Sequence, residues 1–358
     1  MPLIKVSFEG FVCKRAYTVR RTRGSLFLRA CSITSPANVV EFDRTQSAGT
    51  LQLQATENLL STPPEDNTST RAEGFDVRRI AVLGAGTMGH GIAQTAASAG
   101  FQVMLRDIDE ELTARALRSI EANLSKGIER GKVTEEERER ALSNLRTTTR
   151  LEETAASDLF IEAVPERLEL KREMLRAVER LNTTDFIFAT NTSSLSINEI
   201  AEGSHHPARV VGMHFFNPVH IMRLVEIVKG LETSDETIAA VRAVAVRMKK
   251  EPIIVKDVPG FASSRLGVAL GLEAMRMVEE GVAGAKDIDT AMELGYNHPM
   301  GPLRLTDLVG LDVRLHIAEY LHTRLGSERF RPPGILRRMV AEGKLGKKTG
   351  EGFYKWNE

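Results

Sequence analysis

The chain is 358 residues long, 42% apolar and 27% charged, with 48 Lys and Arg balanced by 48 Asp and Glu. That length is more than one core needs and leaves room for two domains and a tail, while a formal net charge of zero gives no field to recruit nucleic acid or an anionic membrane, so a small molecule is the expected partner. Two cysteines, Cys13 and Cys31, make neither a disulfide framework nor a thiolate metal site; no other metal-ligand spacing is present, and no apolar run reaches the roughly 18 residues of a membrane span.

Residues 1–76 stand apart as a leader. The first 40 carry several Arg and one acid, Glu9, and residues 47–73 are largely polar, with Ser-Thr-Pro-Pro at 61–64. A transit peptide, a disordered extension and a misassigned start ahead of a bacterial-looking chain fit this composition equally, and residues 3–8 also allow a short strand. The expected compartment follows that choice: cytoplasm for a bacterial-type chain, mitochondrial matrix for a transit peptide. A chain beginning at Val77 is expected to fold, because nothing ahead of Ile80 has an apolar pattern able to join a core.

Ile80-Ala81-Val82-Leu83 is an apolar strand that breaks into Gly84-Ala85-Gly86-Thr87-Met88-Gly89 and opens a helix over residues 90–99. Gly84 permits the tight bend, Gly86 lets the main chain approach a pyrophosphate, and Gly89 lets the helix lie close on the strand. Thr87 and Met88 fill the intervening places at a helix N-terminus, whose free N–H groups and positive dipole end suit phosphates. A second strand ends at Asp107, 23 residues after Gly84, where a carboxylate can accept from adenosine ribose hydroxyls. Asp107 repels a 2′-phosphate, so NAD is expected over NADP; Arg106 is the one feature that opposes this preference.

Helical stretches at 110–132 and 135–145 precede strands at 159–164 and 186–190, an alternation that predicts an α/β, Rossmann-type doubly wound parallel sheet. Apolar runs at 209–216 and 223–228 are too close for a helical crossover and are expected to pair antiparallel or lie as neighbours, followed by a short strand at 252–255. Residues 261–345 show helical periodicity without a strand. The expected division is a leader (1–76), an NAD-binding domain (77–259) and an all-helical C-terminal domain (260–358).

His214 lies on an apolar strand that stops at Asn217-Pro218, and Glu226 sits twelve residues on among apolar neighbours. Each is costly there unless partnered. Together they read as a dyad in which Glu226 holds one ring nitrogen while the other takes a proton from a substrate hydroxyl; two separately satisfied groups are the alternative. Asn191-Thr192-Ser193-Ser194-Leu195 follows a strand at the carboxyl edge of the sheet, where Ser193 or Ser194 could hold a substrate oxygen or cap the helix at 197–202. Glu166 could reach the cofactor ribose, or begin a solvated helix in which Glu169 and Arg172 pair. For the basic, glycine-rich segment 346–354, phosphate contact and a flexible end are equally open.

These segments in order resemble the short-chain L-3-hydroxyacyl-CoA dehydrogenase family, close to bacterial 3-hydroxybutyryl-CoA dehydrogenases. The resemblance runs from about Val77 to Trp356 and rests on residues 84–89, 191–195, 214–218 with 224–226, 259–261, 287–292, 298–302 and 346–354. It implies reversible, NAD-dependent oxidation of an L-3-hydroxyacyl-CoA to the 3-oxoacyl-CoA, as in β-oxidation and butanoate metabolism. His214 is then the catalytic base, Glu226 its partner and Ser193 a ligand of the substrate oxygen. Glu166, Lys171, Asn191, Asn217 and Lys348 fall on the cofactor side, and Asn123 and Arg130 at acyl-CoA contact places. A homodimer built on the helical domain is also implied. Where animal members carry an active-site Asn after Pro-Gly-Phe, this chain has Ser264, a shorter group that can still donate one hydrogen bond. Dehydrogenases of free hydroxy acids or sugar acids, such as gulonate or carnitine, and a non-catalytic NAD-binding protein are the competing readings.

Overall fold

The computed structural model describes residues 17–22, 25–30, 75–182 and 185–356, and its contacts divide the chain into two compact units, Met1–Thr70 and Arg71–Glu358. In the first, β1 (Tyr17–Thr22) and β2 (Ser25–Ala30) pair antiparallel; the short strand expected at 3–8 lies outside the described residues.

The second unit is built on β3 (Arg79–Leu83), β4 (Gln102–Arg106), β5 (Leu145–Thr148), β6 (Leu159–Glu162), β7 (Ile187–Thr190), β8 (Val210–Phe215), β9 (Leu224–Lys229) and β10 (Glu251–Lys256). They form one sheet in the order β10-β9-β8-β7-β6-β3-β4-β5, parallel throughout except for the antiparallel β8–β9 pair. Side chains two apart in a strand share a face, and the strands alternate accordingly. Ile80, Val82, Leu159 and Ile161 point to one core, with residues of α1 (Thr87–Ser98), α2 (Glu110–Glu129), α3 (Glu135–Ser143) and α6 (Asp235–Arg247). Ala81, Leu83, Phe160 and Phe188 point to the other, with α4 (Leu168–Leu181) and α5 (Ile197–Ala201). Helices on both faces are the doubly wound arrangement expected.

Two expectations change. The helix expected through residue 145 stops at Ser143, and Leu145–Thr148 becomes the edge strand β5, parallel to β4. Residues ahead of Ile80 do join the core: Val77 is buried, and Phe75 packs against the same cluster with the Arg209 guanidinium 5.6 Å from its ring.

Beyond β10 the chain is helical: α7 (Ser263–Glu279), α8 (Ala285–Gly295), α9 (Pro302–Val309), α10 (Leu311–Leu325) and α11 (Gly334–Ala341) surround a core that includes Leu272, Met275, Leu303 and Leu321. The final segment is fastened to this body. Asp307 accepts from the Phe353 and Tyr354 N–H groups and from Trp356 Nε1, each at 2.9 Å, which replaces the flexible end among the sequence-based alternatives. No described helix is long and apolar enough to cross a membrane.

Candidate active site

The parallel strands end at one edge of the sheet, and β3 lies where their order reverses, with β4 on one side and β6 on the other. Gly84 follows β3 with φ +108°, and a Cβ there would lie 2.7 Å from the Ala163 carbonyl oxygen. One on Gly89 would lie 1.7 Å from the Gly84 carbonyl oxygen. Neither position admits a side chain. Gly86 is different: a Cβ there meets nothing within 4 Å, so the residue faces open space at the start of α1, where no side chain caps the helix. Thr87 is exposed and Met88 half-buried in that first turn. Asp107 accepts from the Ala85 N–H at 2.6 Å and the Ile108 N–H at 2.7 Å, which ties it to the turn and leaves carboxylate lone pairs for ribose hydroxyls. An open floor, uncapped amides and this acid fit NAD. Arg106 directs Nε to the Thr149 carbonyl at 3.3 Å.

The register of β8 and β9 sets His214 directly opposite Glu226. Their Nδ1 and Oε2 atoms are 2.7 Å apart; Glu226 is fully buried and His214 is 8% exposed. With Nδ1 engaged, Nε2 is the nitrogen left for a substrate. The Phe216 and Phe261 rings lie 4.5 and 5.9 Å from the imidazole, centre to centre. The start of the helical part completes the pair: Ser263 donates its hydroxyl to Glu226 Oε2 and its N–H to Oε1, both at 2.8 Å, and the Ala262 N–H reaches Oε1 at 3.1 Å. Burial works against ionisation of Glu226, but the bonds from His214 and Ser263 outweigh it and hold the carboxyl below its usual range. Ser264, expected near the reacting centre, is half-buried, and it is its neighbour Ser263 that bonds Glu226. Sequence reasoning passed over Ser263, whose only signal was a second serine beside the one singled out.

Glu166 is fastened to the loop after β7. Its Oε1 accepts from Thr192 Oγ1 at 2.6 Å, the Ser193 N–H at 2.9 Å, and the Ser193 and Ser194 hydroxyls at 3.3 Å each. Burial raises the carboxyl's pKa, yet the nearby Lys171 ammonium and the Thr192 and Ser193 bonds bring it below the usual range. Lys171 is itself fully buried, donating to Glu162 Oε1 at 2.8 Å and the Asn191 carbonyl at 3.2 Å. With no exposed surface, it braces Glu162 and the loop after β7 from beneath. Asn191 Oδ1 accepts from the Phe215 N–H at 2.9 Å and so ties this loop to the residue after His214. Ser196, and neither Ser193 nor Ser194, caps α5 by accepting from the Glu199 N–H at 3.2 Å. Glu169 and Arg172 pair at 3.0 Å, one of the two alternatives left open for this segment.

Asn217 is exposed just past β8, and Lys348 pairs with Asp312 at 2.6 Å in the helical part. Asn123 and Arg130 come together in the wall of a cleft of about 420 Å³ between α1, α2 and the segments leading into β9 and β10. Lys126, Arg223, Arg247 and Lys249 also line it, making a basic cluster that local sequence did not reveal because its members come from three separate segments. Another hollow, of about 580 Å³ between α5 and the turn after β9, holds none of the expected site residues.

A doubly wound sheet with this glycine cradle defines a dinucleotide-binding protein. Residues 79–258 match the NAD binding domain of 3-hydroxyacyl-CoA dehydrogenase, and residues 260–356 match its C-terminal domain. A probable 3-hydroxybutyryl-CoA dehydrogenase of Bacillus subtilis is 46% identical over 284 residues, 79% of this chain and 99% of the relative. The mitochondrial hydroxyacyl-coenzyme A dehydrogenase of Homo sapiens is 41% identical over 295 residues, 80% of this chain and 94% of the relative. The crystal structure of (S)-3-hydroxybutyryl-CoA dehydrogenase from Ralstonia eutropha superposes with a TM-score of 0.77 at 40% identity, covering 79% of this chain and all of that one. The chain belongs to the 3-hydroxyacyl-CoA dehydrogenase family.

Proposed function

We propose that the protein reversibly oxidises an L-3-hydroxyacyl-CoA, foremost 3-hydroxybutyryl-CoA, with His214 and Glu226 moving the proton. The observation that carries this reading is the 2.7 Å contact between His214 Nδ1 and Glu226 Oε2 at the carboxyl edge of the sheet. Bound NAD supplies the hydride acceptor. His214 Nε2 takes the hydroxyl proton in oxidation and returns it in reduction, while Glu226 fixes the ring and stabilises the imidazolium. Ser193, held only loosely by its hydroxyl at 3.3 Å from Glu166, can turn to the substrate oxygen. Asn191, Asn217, Glu166 and Lys348 serve the cofactor side and Ser264 the substrate side, as the family resemblance implies.

The basic cleft that holds Asn123 and Arg130 favours an acyl-CoA over a free hydroxy acid or sugar acid, because only the thioester brings phosphates to it. In this reading residues 77–259 bind NAD and residues 260–358 shape the substrate site and a homodimer. Support for the dimer comes from Leu266, Leu294 and Tyr296, which are 72%, 82% and 75% exposed on or beside α7 and α8.

The test follows NADH absorbance with 3-hydroxybutyryl-CoA, longer acyl-CoAs and free gulonate or carnitine, with light scattering for size. Turnover of the thioester and not of the free acids is expected. Turnover of a free acid alone would replace the substrate assignment, and NAD binding without turnover of any would replace the catalytic one.

A further inference from the structure

Glu226 has four hydrogen-bond donors, and three of them come from a short stretch where the chain enters the helical part. His214 Nδ1 and Ser263 Oγ meet the same oxygen, Oε2, at 2.7 and 2.8 Å, while the Ala262 and Ser263 N–H groups share Oε1. The backbone is shaped for this. Phe261 sits at φ +46°, a left-handed conformation that is strained for a bulky residue, and its buried ring anchors the turn in the sheet's core. Among the described residues no other charged group bonds or ion-pairs with His214 or Glu226; the remaining neighbours named above are the Phe216 and Phe261 rings.

A hydroxyl and an imidazole that share one carboxylate oxygen compete for its charge. The Ser263 hydroxyl has no acceptor role toward an ionised carboxylate and can only donate to it. Every part of the charge satisfied by Ser263 is withdrawn from the side facing His214, so the serine lowers the pull of Glu226 on a proton at the imidazole. We infer that Ser263 is a positioning residue of the proton relay, one that sets the pH range of catalysis from the helical side of the molecule by sharing Glu226 Oε2 with His214. The inference rests on the dyad reading above. It also gives the docking of α7 against the sheet a chemical consequence: a shift of Ser263 away from Glu226 changes the relay without moving either dyad residue.

The experiment is the pH profile of kcat/KM for hydroxyacyl oxidation in the full-length protein and in Ser263→Ala, Ser263→Thr, His214→Ala and Glu226→Gln. Ser263→Ala is expected to raise the midpoint of the profile by roughly 0.5–1 pH unit, because more of the carboxylate's charge then faces the imidazole. Ser263→Thr keeps the hydroxyl and is expected to restore the original midpoint. A Ser263→Ala profile of unchanged midpoint, even at a lower plateau, overturns the inference, since a merely structural serine lowers the rate without moving the titration. If Ser263→Ala does not fold, Ser263→Cys, a much weaker donor in the same place, is read by the same midpoint. His214→Ala and Glu226→Gln keep the two claims apart: loss of turnover in both with a fixed Ser263→Ala midpoint removes only the role of Ser263, whereas normal turnover in both removes the dyad itself.

Discussion

The Tyr320 hydroxyl on α10 donates to the main-chain carbonyl of Ser194 at 2.8 Å, so a side chain of the helical part holds the loop that carries Ser193. Arg324, one turn further along α10, pairs with Glu199 on α5 and makes a second tie between the two parts. The loop is thus fixed from three directions: by Tyr320, by Glu166 through four donors, and by Asn191 through the end of β8.

Tyr320→Phe removes the tie to Ser194 and keeps the ring. A neutral hydrogen bond contributes on the order of 1 kcal/mol, so a modest loss of stability is expected. The larger effect is expected on turnover, a several-fold fall in kcat with NAD affinity unchanged, because the glycine cradle is untouched. Equal kcat in this variant would show that Glu166 and Asn191 hold the loop without help.

The dyad predicts a separation of chemistry from cofactor binding. His214→Ala is expected to lose 10² to 10⁴ in rate, the usual contribution of a positioned general base. Glu226→Gln is expected to lower turnover more than it weakens NAD binding, since Glu226 touches His214 and Ser263 and lies away from the glycine turn. Steady-state rates beside a direct NAD titration distinguish these effects; an unaltered kcat in Glu226→Gln leaves the carboxylate with a packing role alone.

Two glycines of one turn predict opposite failures. Gly86→Val places its side chain in open space, so the protein is expected to unfold at the same temperature as the parent and to lose NAD affinity. Gly89→Ala drives a methyl to within 1.7 Å of the Gly84 carbonyl oxygen, so it is expected to lose stability first and affinity as a consequence. Thermal unfolding with and without NAD reads both. A destabilised Gly86→Val, or a stable Gly89→Ala, contradicts the assignment of the open and closed sides of the turn.

The sheet was legible because buried strands alternated with long amphipathic helices, and because His214 and Glu226 were conspicuous polar residues in apolar runs. What escaped reading was weak in local pattern. Strand β5 has only four residues, Leu-Arg-Thr-Thr, of which Arg146 and Thr147 are exposed, so it looked like the tail of the preceding helix. Ser263 was hidden because its meaning lies 37 positions away at Glu226. The fastening of the C-terminal segment depends on Asp307, a buried acid in α9 whose partners lie more than 45 residues downstream. The buried pairing of Lys171 with Glu162 was equally hidden, because the two lie on different elements, α4 and the end of β6.

Phe75 predicts where trimming begins to cost stability. A chain starting at Arg71 keeps its ring against the core and under Arg209, whereas one starting at Val77 loses both contacts. The difference is expected to be about 1–2 kcal/mol, from partial burial of an aromatic ring together with one cation–π contact. Urea unfolding of the two chains measures it, and coincident midpoints show that the sheet begins its packing only at Val77.

Acid stability tests the electrostatics of the whole edge. The Glu166 and Glu226 carboxyls are both held below their usual value near 4.5 by the donors that surround them. A carboxyl whose folded pKa lies below its unfolded one contributes stability in full above the unfolded value and loses it as pH falls through the folded one. The double variant Glu166→Gln, Glu226→Gln is therefore expected to be less stable than the parent at pH 7, and the gap is expected to narrow as pH drops from about 5 toward 3, because only the parent must take up protons at these two sites. Glu162 acts in the opposite sense, since burial pushes its carboxyl up against the pull of Lys171, and it is left intact so that its contribution cancels between the two proteins. Urea midpoints across that range, followed through the fluorescence of Trp356, give the comparison. A gap that stays constant from pH 7 to pH 3 would mean that the two amides fail for reasons of shape, and that the hydrogen bonds converging on Glu166 and Glu226 do not favour their ionised forms.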